Sequence, residues 1–258
     1  MQSKYDLIAE KYDATRCADG LILEKLVFHL RVEASGRYLD AACGSGNYTS
    51  ALARKGGSWN GIDQSSVMLT KAKSKSASIS WICGDVGRLP FSEGSFDGVV
   101  CTLAIHHFPS RLQAFREFRR VLARGRFVVF TSTREQMKGY WLSEYFPAAM
   151  ERSREQMPDL GSIESDLLES GFEISETEPY FIHDGLQDLF LYCGKHRPEM
   201  YLDEDVRRGI STFSVLSDPD EIDSGCAKLG RDLESGKINE VIRKYENDLG
   251  DYCFVVCE

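Results

Sequence analysis

The stretch Tyr38–Thr49, with the sequence YLDAACGSGNYT, decides the fold of this chain. An apolar strand pattern ends here in a glycine-rich turn, and the residues that follow have the spacing of a helix. Asp40 lies just before the turn, where a phosphate-binding loop would be expected to avoid a carboxylate. The stretch therefore predicts a strand–turn–helix unit, and it raises the question of which ligand tolerates the acid.

Strand and helix patterns alternate along the chain on both sides of this unit. Residues 19–33 predict an amphipathic helix before it. The predicted strands after it are SWNGID, SISWICGD, FDGVVCTLA and RFVVFTS, and the predicted helices are YTSALARKGG, SSVMLTKAKSKSA and SRLQAFREFRRVLA. Such alternation is typical of an α/β protein with a doubly wound, mostly parallel sheet. A further strand pattern, DYCFVVCE, closes the sequence.

A long insertion separates this closing strand from the rest of the sheet. Residues 183–250 are too many for a hairpin loop and are not of low complexity. Helix signals occur in LDEDVRRGISTF, SDPDEIDSGCAKLGRDLESG and KINEVIRKYENDLG, and the last of these places Ile238, Val241, Ile242, Tyr245 and Leu249 on one face. We predict a Rossmann-like core of residues 1–182 and 251–258, with residues 183–250 as an inserted helical cap.

Composition excludes several classes of function. The net charge is -9 over 258 residues and no basic block occurs, which disfavours nucleic acid and anionic membranes as partners. No apolar run is long enough for a membrane span, and a cytoplasmic protein is expected. The eight cysteines are scattered, so we expect reduced, mostly buried thiols and no metal site. Cys253 and Cys257 would face the same side of a strand, which leaves a thiol-redox or heavy-metal site open as an alternative.

Acids at successive strand ends distinguish the possible ligands of the turn. Asp63 ends the second predicted strand, 23 residues after Asp40, where an acid can bind both hydroxyls of a ribose. That feature alone would serve a dinucleotide equally well, but the turn lacks the third glycine of GxGxxG. Asp85 ends the third strand, where it can accept a hydrogen bond from an adenine amino group while Val86 packs nearby. Asp40 suits a cationic amino acid group, and S-adenosylmethionine is a ligand with these features and no phosphate.

These segments resemble a known family. LDAACGSGNYTSALA, GIDQSSVMLTKA, GDVGRLPFSEGSFDGVV and LAIHHF are similar to class I S-adenosylmethionine-dependent methyltransferases of the ubiquinone/menaquinone-biosynthesis type, in the methyltransferase type 11 group. The resemblance covers roughly residues 1–133 and, more weakly, 162–182 and 251–258. It implies a seven-stranded sheet whose last strand is antiparallel and lies next to the fifth. Ala42 departs from the family at a usual glycine, and LARGRF departs from its usual Pro-Gly-Gly.

The resemblance also implies a set of cofactor contacts. Residues 1–35 would form lid helices that place Tyr12 and Arg16 near the methionine end of the cofactor, although Tyr12 could instead pack on the sheet edge. Met68 would cover the adenine or ribose, unless it belongs only to the core. The full predicted set for S-adenosylmethionine, with S-adenosylhomocysteine as product, is Tyr12, Arg16, Asp40, Ala42, Cys43, Gly44, Gly46, Asp63, Gln64, Met68, Asp85, Val86 and Thr102.

Methyl transfer depends mainly on alignment, so a dedicated catalytic residue is optional. If the acceptor is a hydroxyl, His106 and His107 after strand four are the candidate bases, or they cap the next helix. Eight aromatic side chains could roof an acceptor pocket or form the core of the cap: Tyr140, Trp141, Tyr145, Phe146, Phe190, Tyr192, Tyr201 and Phe213. We predict a methyltransferase for a small-molecule or peptide-like acceptor; a non-catalytic adenosyl-ligand sensor and a dinucleotide oxidoreductase are the alternatives.

Overall fold

One seven-stranded sheet forms the centre of the protein. The computed structural model describes residues 15–258. The strands are β1 (Arg37–Ala41), β2 (Ser58–Asp63), β3 (Ser80–Cys83), β4 (Phe96–Thr102), β5 (Leu122–Thr131), β6 (Ile174–Tyr180) and β7 (Tyr252–Cys257). Their order across the sheet is β3-β2-β1-β4-β5-β7-β6. The order reverses between β1 and β4, which is where open α/β sheets bind their ligands.

The closing strand occupies the predicted position. β1 to β5 are parallel to one another, whereas β7 lies between β5 and β6 and is antiparallel to both. The predicted seven-stranded, Rossmann-like α/β sheet with an antiparallel last strand is therefore confirmed. Asp97, near the start of β4, lies at the edge opposite the β1 turn, where its Oδ2 accepts a hydrogen bond from the backbone N–H of Arg37 (2.9 Å).

Helices of the described residues cover both faces of the sheet. They are α1 (Gly20–Leu30), α2 (Asn47–Ala53), α3 (Ser66–Lys75), α4 (Arg111–Val121), α5 (Arg134–Lys138), α6 (Pro147–Gln156), α7 (Leu160–Glu169), α8 (Glu204–Arg208), α9 (Ser211–Ser214), α10 (Pro219–Glu234) and α11 (Ile238–Lys244). Short 3₁₀ segments occur at Ile105–His107, Trp141–Glu144 and Pro198–Leu202. In residues 15–258 no helix combines the length and apolarity that crossing a bilayer requires.

Alternating side chains of the central strands fill two hydrophobic clusters, one on each face of the sheet. On β5, Val128 and Phe130 belong to one cluster, and Phe127 and Val129 belong to the other. Both faces are apolar because both are covered, as expected of a doubly wound sheet. Cys253 and Cys257 lie in the same cluster, as their even spacing predicted, and both are free thiols.

The insertion differs in detail from its predicted form. Residues 183–197 are turns rather than helix, and LDEDVRRGISTF forms the two short helices α8 and α9 instead of one. The predicted apolar face of KINEVIRKYENDLG is wrong at Leu249, because α11 ends at Lys244 and Leu249 is exposed. The helical segments share one hydrophobic cluster with the sheet, in which Tyr201 and Phe213 join Phe130. Where a domain boundary falls stays a prediction.

Candidate functional site: a turn, an ion pair and two cavities

The turn between β1 and α2 has three residues in left-handed conformation. Gly44 and Gly46 have φ of 53° and 73°, and Ala42 has φ of 59°. Glycine adopts this region freely, whereas alanine pays about 1–2 kcal/mol for it. Ala42 therefore keeps the turn, but at a cost in strain that a glycine would avoid.

Asp63 fixes the position of this turn relative to β2. Its Oδ2 accepts a hydrogen bond from the backbone N–H of Gly44 (2.8 Å), and its Oδ1 accepts one from the backbone N–H of Ser65 (2.8 Å). Ser65 in turn caps α3 by accepting from the N–H of Met68. The Asp63 carboxylate thus connects the turn, the end of β2 and the start of α3. A carboxylate can accept further hydrogen bonds, including one from a ligand hydroxyl.

A cleft of about 1150 Å³ opens beyond the ends of β1, β2, β3 and β4. Most of the predicted cofactor residues line it: Arg16, Ala42, Cys43, Gly44, Asp63, Gln64, Met68, Asp85, Val86 and Thr102, together with the predicted catalytic candidate His107. Sequence reasoning did not identify the other lining residues, which are Ser45, Asn47, Tyr48, Gly84, Leu103, Ala104, Phe108, Pro109 and Asp188. We call this cleft the first cavity.

Three predicted site residues lie outside the lining of the first cavity, and Tyr12 lies outside the described residues. Gly46 is instead the residue before α2, at its N-cap; a Cβ there would lie 2.4 Å from the Trp81 ring, so the glycine permits close packing. Asp40 is buried behind the turn, where its Oδ2 accepts a hydrogen bond from the Thr49 hydroxyl (2.5 Å). His106 lines a neighbouring cavity.

Asp40 is a buried acid with incomplete hydrogen bonding. Its Oδ1 has no hydrogen-bond partner among the described residues. Burial raises the pKa of Asp40 to about 7; the Thr49 hydroxyl opposes this shift, and the negative charge of Asp63 adds to it. A cation bound near the turn would favour the ionised form. The protonation of Asp40 would therefore change with the charge of a bound ligand.

The raised pKa of Asp40 predicts a stability that depends on pH. The folded protein holds this proton more tightly than the unfolded chain, so the contribution is complete below the ordinary value of 3.8 and is lost as the pH rises through about 7. We expect the free energy of unfolding to fall by about 2 kcal/mol more in the wild type than in Asp40→Asn between roughly pH 5.5 and 8.5. Urea unfolding of both proteins at the two pH values measures this difference, and equal losses would contradict it.

Arg16 and Asp188 form an ion pair at the wall of the first cavity. Arg16 Nε lies 2.5 Å from Asp188 Oδ1 and Nη2 donates to Oδ2 (3.2 Å), so the contact is bidentate. The Tyr48 hydroxyl also donates to Asp188 Oδ2 (3.2 Å), and Asn47 Nδ2 donates to the backbone carbonyl of Arg16 (2.9 Å). Asp188 belongs to the insertion and carries no motif. Only the fold brings it to the site.

A second cavity, of about 630 Å³, lies beside the first. Arg16 and Leu103 line both cavities, so these two side chains form the boundary between them. Leu103 follows β4 with φ of 53°, an unfavourable conformation that tends to occur at functional sites. The second cavity is lined further by His106, Thr131, Ser132, Met137, Tyr140, Ser153, Met157, Phe190, Leu191, Gly209, Ile210, Ser211, Thr212 and Tyr252.

Two of the eight aromatic side chains that were considered as a pocket roof line the second cavity. These are Tyr140 and Phe190. The other six are buried without lining either cavity: Trp141, Tyr145, Phe146, Tyr192, Tyr201 and Phe213. Tyr192 stacks on Tyr140 with 3.8 Å between ring centroids, and so supports a wall of the cavity from behind. Tyr140 and Phe190 therefore fit the interpretation as a pocket wall, and the other six fit the interpretation as core.

The two candidate histidines lie on different cavities. Their ring centroids are 3.8 Å apart, with His107 on the first cavity and His106 on the second. Burial lowers the pKa of His106 well below its ordinary value of 6.5, and the adjacent His107 adds to this effect. His106 is therefore neutral at neutral pH, with one ring nitrogen able to donate and the other able to accept a hydrogen bond.

Comparison with known proteins agrees with this architecture. The family described as "Methyltransferase domain" matches residues 39–130. A solved structure of a putative methyltransferase from an antibiotic biosynthesis pathway of Anabaena variabilis has a TM-score of 0.85 at 30% identity, covering 95% of this chain and 99% of that one. The fold and site thus define a Rossmann-like methyltransferase. The chain belongs to the class I S-adenosylmethionine-dependent methyltransferases.

Curated relatives match only in part. A malonyl-[acyl-carrier protein] O-methyltransferase of Erwinia pyrifoliae is 38% identical over 43% of this chain and 43% of its own length. A demethylmenaquinone methyltransferase of Thermotoga maritima is 35% identical over 48% of this chain and 58% of its own. The matched region thus spans roughly half of these relatives. A [4+2]-cyclase with 18% identity and a TM-score of 0.63 shares the fold alone.

Proposed function

We propose that this protein transfers a methyl group from S-adenosylmethionine to a small-molecule acceptor by in-line displacement. The observation that carries the proposal is the pair of adjoining cavities, one lined by the ends of β1 to β4 and the other by apolar and hydroxyl side chains, which share Arg16 and Leu103 among the described residues. Such an arrangement holds two ligands with their reacting ends at one boundary. Alignment of this kind is the main requirement of methyl transfer.

The residues of the first cavity fit the proposed cofactor. Asp63 would accept hydrogen bonds from the ribose hydroxyls, and Asp85 would accept one from the adenine amino group. Met68 and Val86 supply apolar surface for the base. A Cβ added at Gly44 would meet no atom within 4 Å, so the turn leaves room for close approach of a ligand. When bound, the cofactor supplies a methyl group on a positively charged sulfur, which a nucleophile can displace.

The charges of the first cavity oppose a dinucleotide. Asp63, Asp85 and Asp188 line it, and Arg16 is the sole lysine or arginine among its described lining residues. That arginine already contacts the carboxylate of Asp188. A pyrophosphate would therefore meet acids without a compensating cation, whereas a ligand with an ammonium and a sulfonium gains from the same field.

Isothermal titration calorimetry with S-adenosylmethionine, S-adenosylhomocysteine and NAD tests the proposal. We expect micromolar-range binding of the two adenosyl ligands and no heat from NAD. Tight NAD binding would overturn the proposal in favour of an oxidoreductase. If the adenosyl ligands bind but no S-adenosylhomocysteine is released across pools of metabolites and peptides, the non-catalytic sensor is favoured. Turnover in one pool would also identify the acceptor.

A further inference from the structure

The second cavity has apolar walls with a band of polar groups. Its apolar lining includes Met137, Met157, Phe190, Ile210 and Tyr252. Phe190 and Tyr252 contact each other edge to face, with 4.8 Å between ring centroids. Aromatic walls of this kind favour a ligand that contains a ring.

Four hydroxyl groups on these walls already form hydrogen bonds with protein oxygens. Ser132 and Tyr140 both donate to the backbone carbonyl of Asp251, at 2.9 and 2.6 Å. Ser153 and Thr212 form a hydrogen bond with each other (2.6 Å). Because these hydrogen bonds stay within the protein, the hydroxyls contribute shape to the cavity and few unused donors.

His106 differs from these groups. Its Nδ1 is a buried atom without a hydrogen-bond partner in the described part of the chain, and its Nε2 has none there either. A buried polar atom that makes no hydrogen bond costs free energy, which a ligand group can recover. A polar group of the acceptor would therefore gain a hydrogen bond at the imidazole of His106.

The charge of the cavity wall restricts the acceptor further. Arg16 is the charged side chain that lines the cavity among the described residues, and Asp188 balances it. A carboxylate or ammonium group on the acceptor would lose its hydration here without gaining an uncompensated counter-charge, which disfavours its binding. A hydroxyl loses less hydration than a charged group and can form a hydrogen bond with His106.

We propose that the second cavity binds a neutral, ring-containing acceptor whose hydroxyl group forms a hydrogen bond with His106. This inference rests on the proposed function, because it assigns the acceptor class to the same site. It also gives His106 a defined part: the imidazole orients the hydroxyl toward the boundary with the first cavity. His107, on the first cavity, has no such contact with the acceptor.

Four naphthalene probes test the acceptor class without requiring turnover. The protein is saturated with S-adenosylhomocysteine, and binding of 2-naphthol, naphthalene, 2-naphthoate and 2-naphthylmethylammonium is followed by fluorescence. We expect 2-naphthol to bind and the two charged probes to bind at least tenfold more weakly. Naphthalene fills the same walls but lacks the hydroxyl, so it isolates the contribution of His106.

Substitution of His106 completes the test. In His106→Phe we expect 2-naphthol to lose about 2- to 12-fold in affinity, the range of an ordinary net hydrogen bond, and naphthalene to lose little. His106→Asn, which keeps a donor and an acceptor, should recover part of the loss. His196→Phe is the matched control, because His196 lines neither cavity.

Tight binding of a charged probe would overturn the inference, and so would equal losses of 2-naphthol and naphthalene in His106→Phe. Failure of 2-naphthol to bind at all would also overturn it. The proposed function fails separately, since it requires S-adenosylhomocysteine to bind the wild type. A protein that binds this product but rejects 2-naphthol keeps the proposed function and loses only the acceptor class.

Discussion

Asp63→Ala should weaken the binding of S-adenosylhomocysteine by about 1–3 kcal/mol, the scale of a hydrogen-bonded charged group. Two losses add up in this variant. The ribose hydroxyls lose their acceptor, and the backbone N–H groups of Gly44 and Ser65 lose the carboxylate that fixes the turn to β2 and α3. The structure thus adds a positioning effect to the direct contact that the sequence predicted. Calorimetry measures the affinity.

Two comparison variants separate these effects. Asp63→Asn keeps one carboxamide oxygen and a similar shape, so we expect it to lose less affinity than Asp63→Ala. Asp97→Ala removes an acid at the opposite edge of the sheet, where it contacts Arg37, and should leave affinity unchanged. If Asp63→Ala binds the product as tightly as the wild type, the cofactor lies elsewhere and the proposed function is wrong.

The sequence predicts the sheet and the first cavity well because both follow from local patterns. Residues at the ends of consecutive parallel strands, such as Asp63 and Asp85, must meet at one edge of the sheet wherever the helices pack. Asp63 is the last residue of β2, and Asp85 follows the end of β3 closely. The local sequence pattern therefore predicts the position of both carboxylates without information on tertiary contacts.

The same local patterns predict less well what each residue of the turn faces. Asp40 was expected to face a cationic ligand, yet it lies behind the turn, because the neighbouring strand end and α2 enclose it. Gly46 was expected at the cofactor and instead makes room for Trp81. Both residues lie in the predicted strand–turn–helix unit. A side chain from another element, Thr49 for Asp40 and Trp81 for Gly46, determines what each residue contacts.

Asp188 could not be predicted at all, for a related reason. It lies 172 residues from Arg16 in a stretch of turns, and no periodicity or motif marks it. Its contacts with Arg16 and Tyr48 exist only because the insertion returns to the sheet beside α2. The second cavity is equally non-local, since its walls come from the ends of β4 and β5, from residues 137–157 and from the insertion.

Breaking the ion pair between Arg16 and Asp188 should therefore have the second large effect. Asp188 is almost fully buried and the Arg16 side chain is only 14% exposed, so Asp188→Ala removes a charged acceptor from a largely buried guanidinium and from the Tyr48 hydroxyl. We expect a loss of about 2–4 kcal/mol in the free energy of unfolding, somewhat below that of a fully buried pair because of the exposure of Arg16.

A double-mutant cycle tests this contact against a matched control. Asp184→Ala removes an acid from the same segment, but that side chain is 87% exposed, and its loss should stay within about 0.5 kcal/mol. In Arg16→Met with Asp188→Ala, compared with each single variant, both charges are absent, and part of the stability should return. Additive losses in urea unfolding would mean that the two side chains do not stabilise each other. Since Arg16 lines both cavities, recovery of stability without recovery of S-adenosylhomocysteine binding would assign its guanidinium to the ligand as well as to the fold.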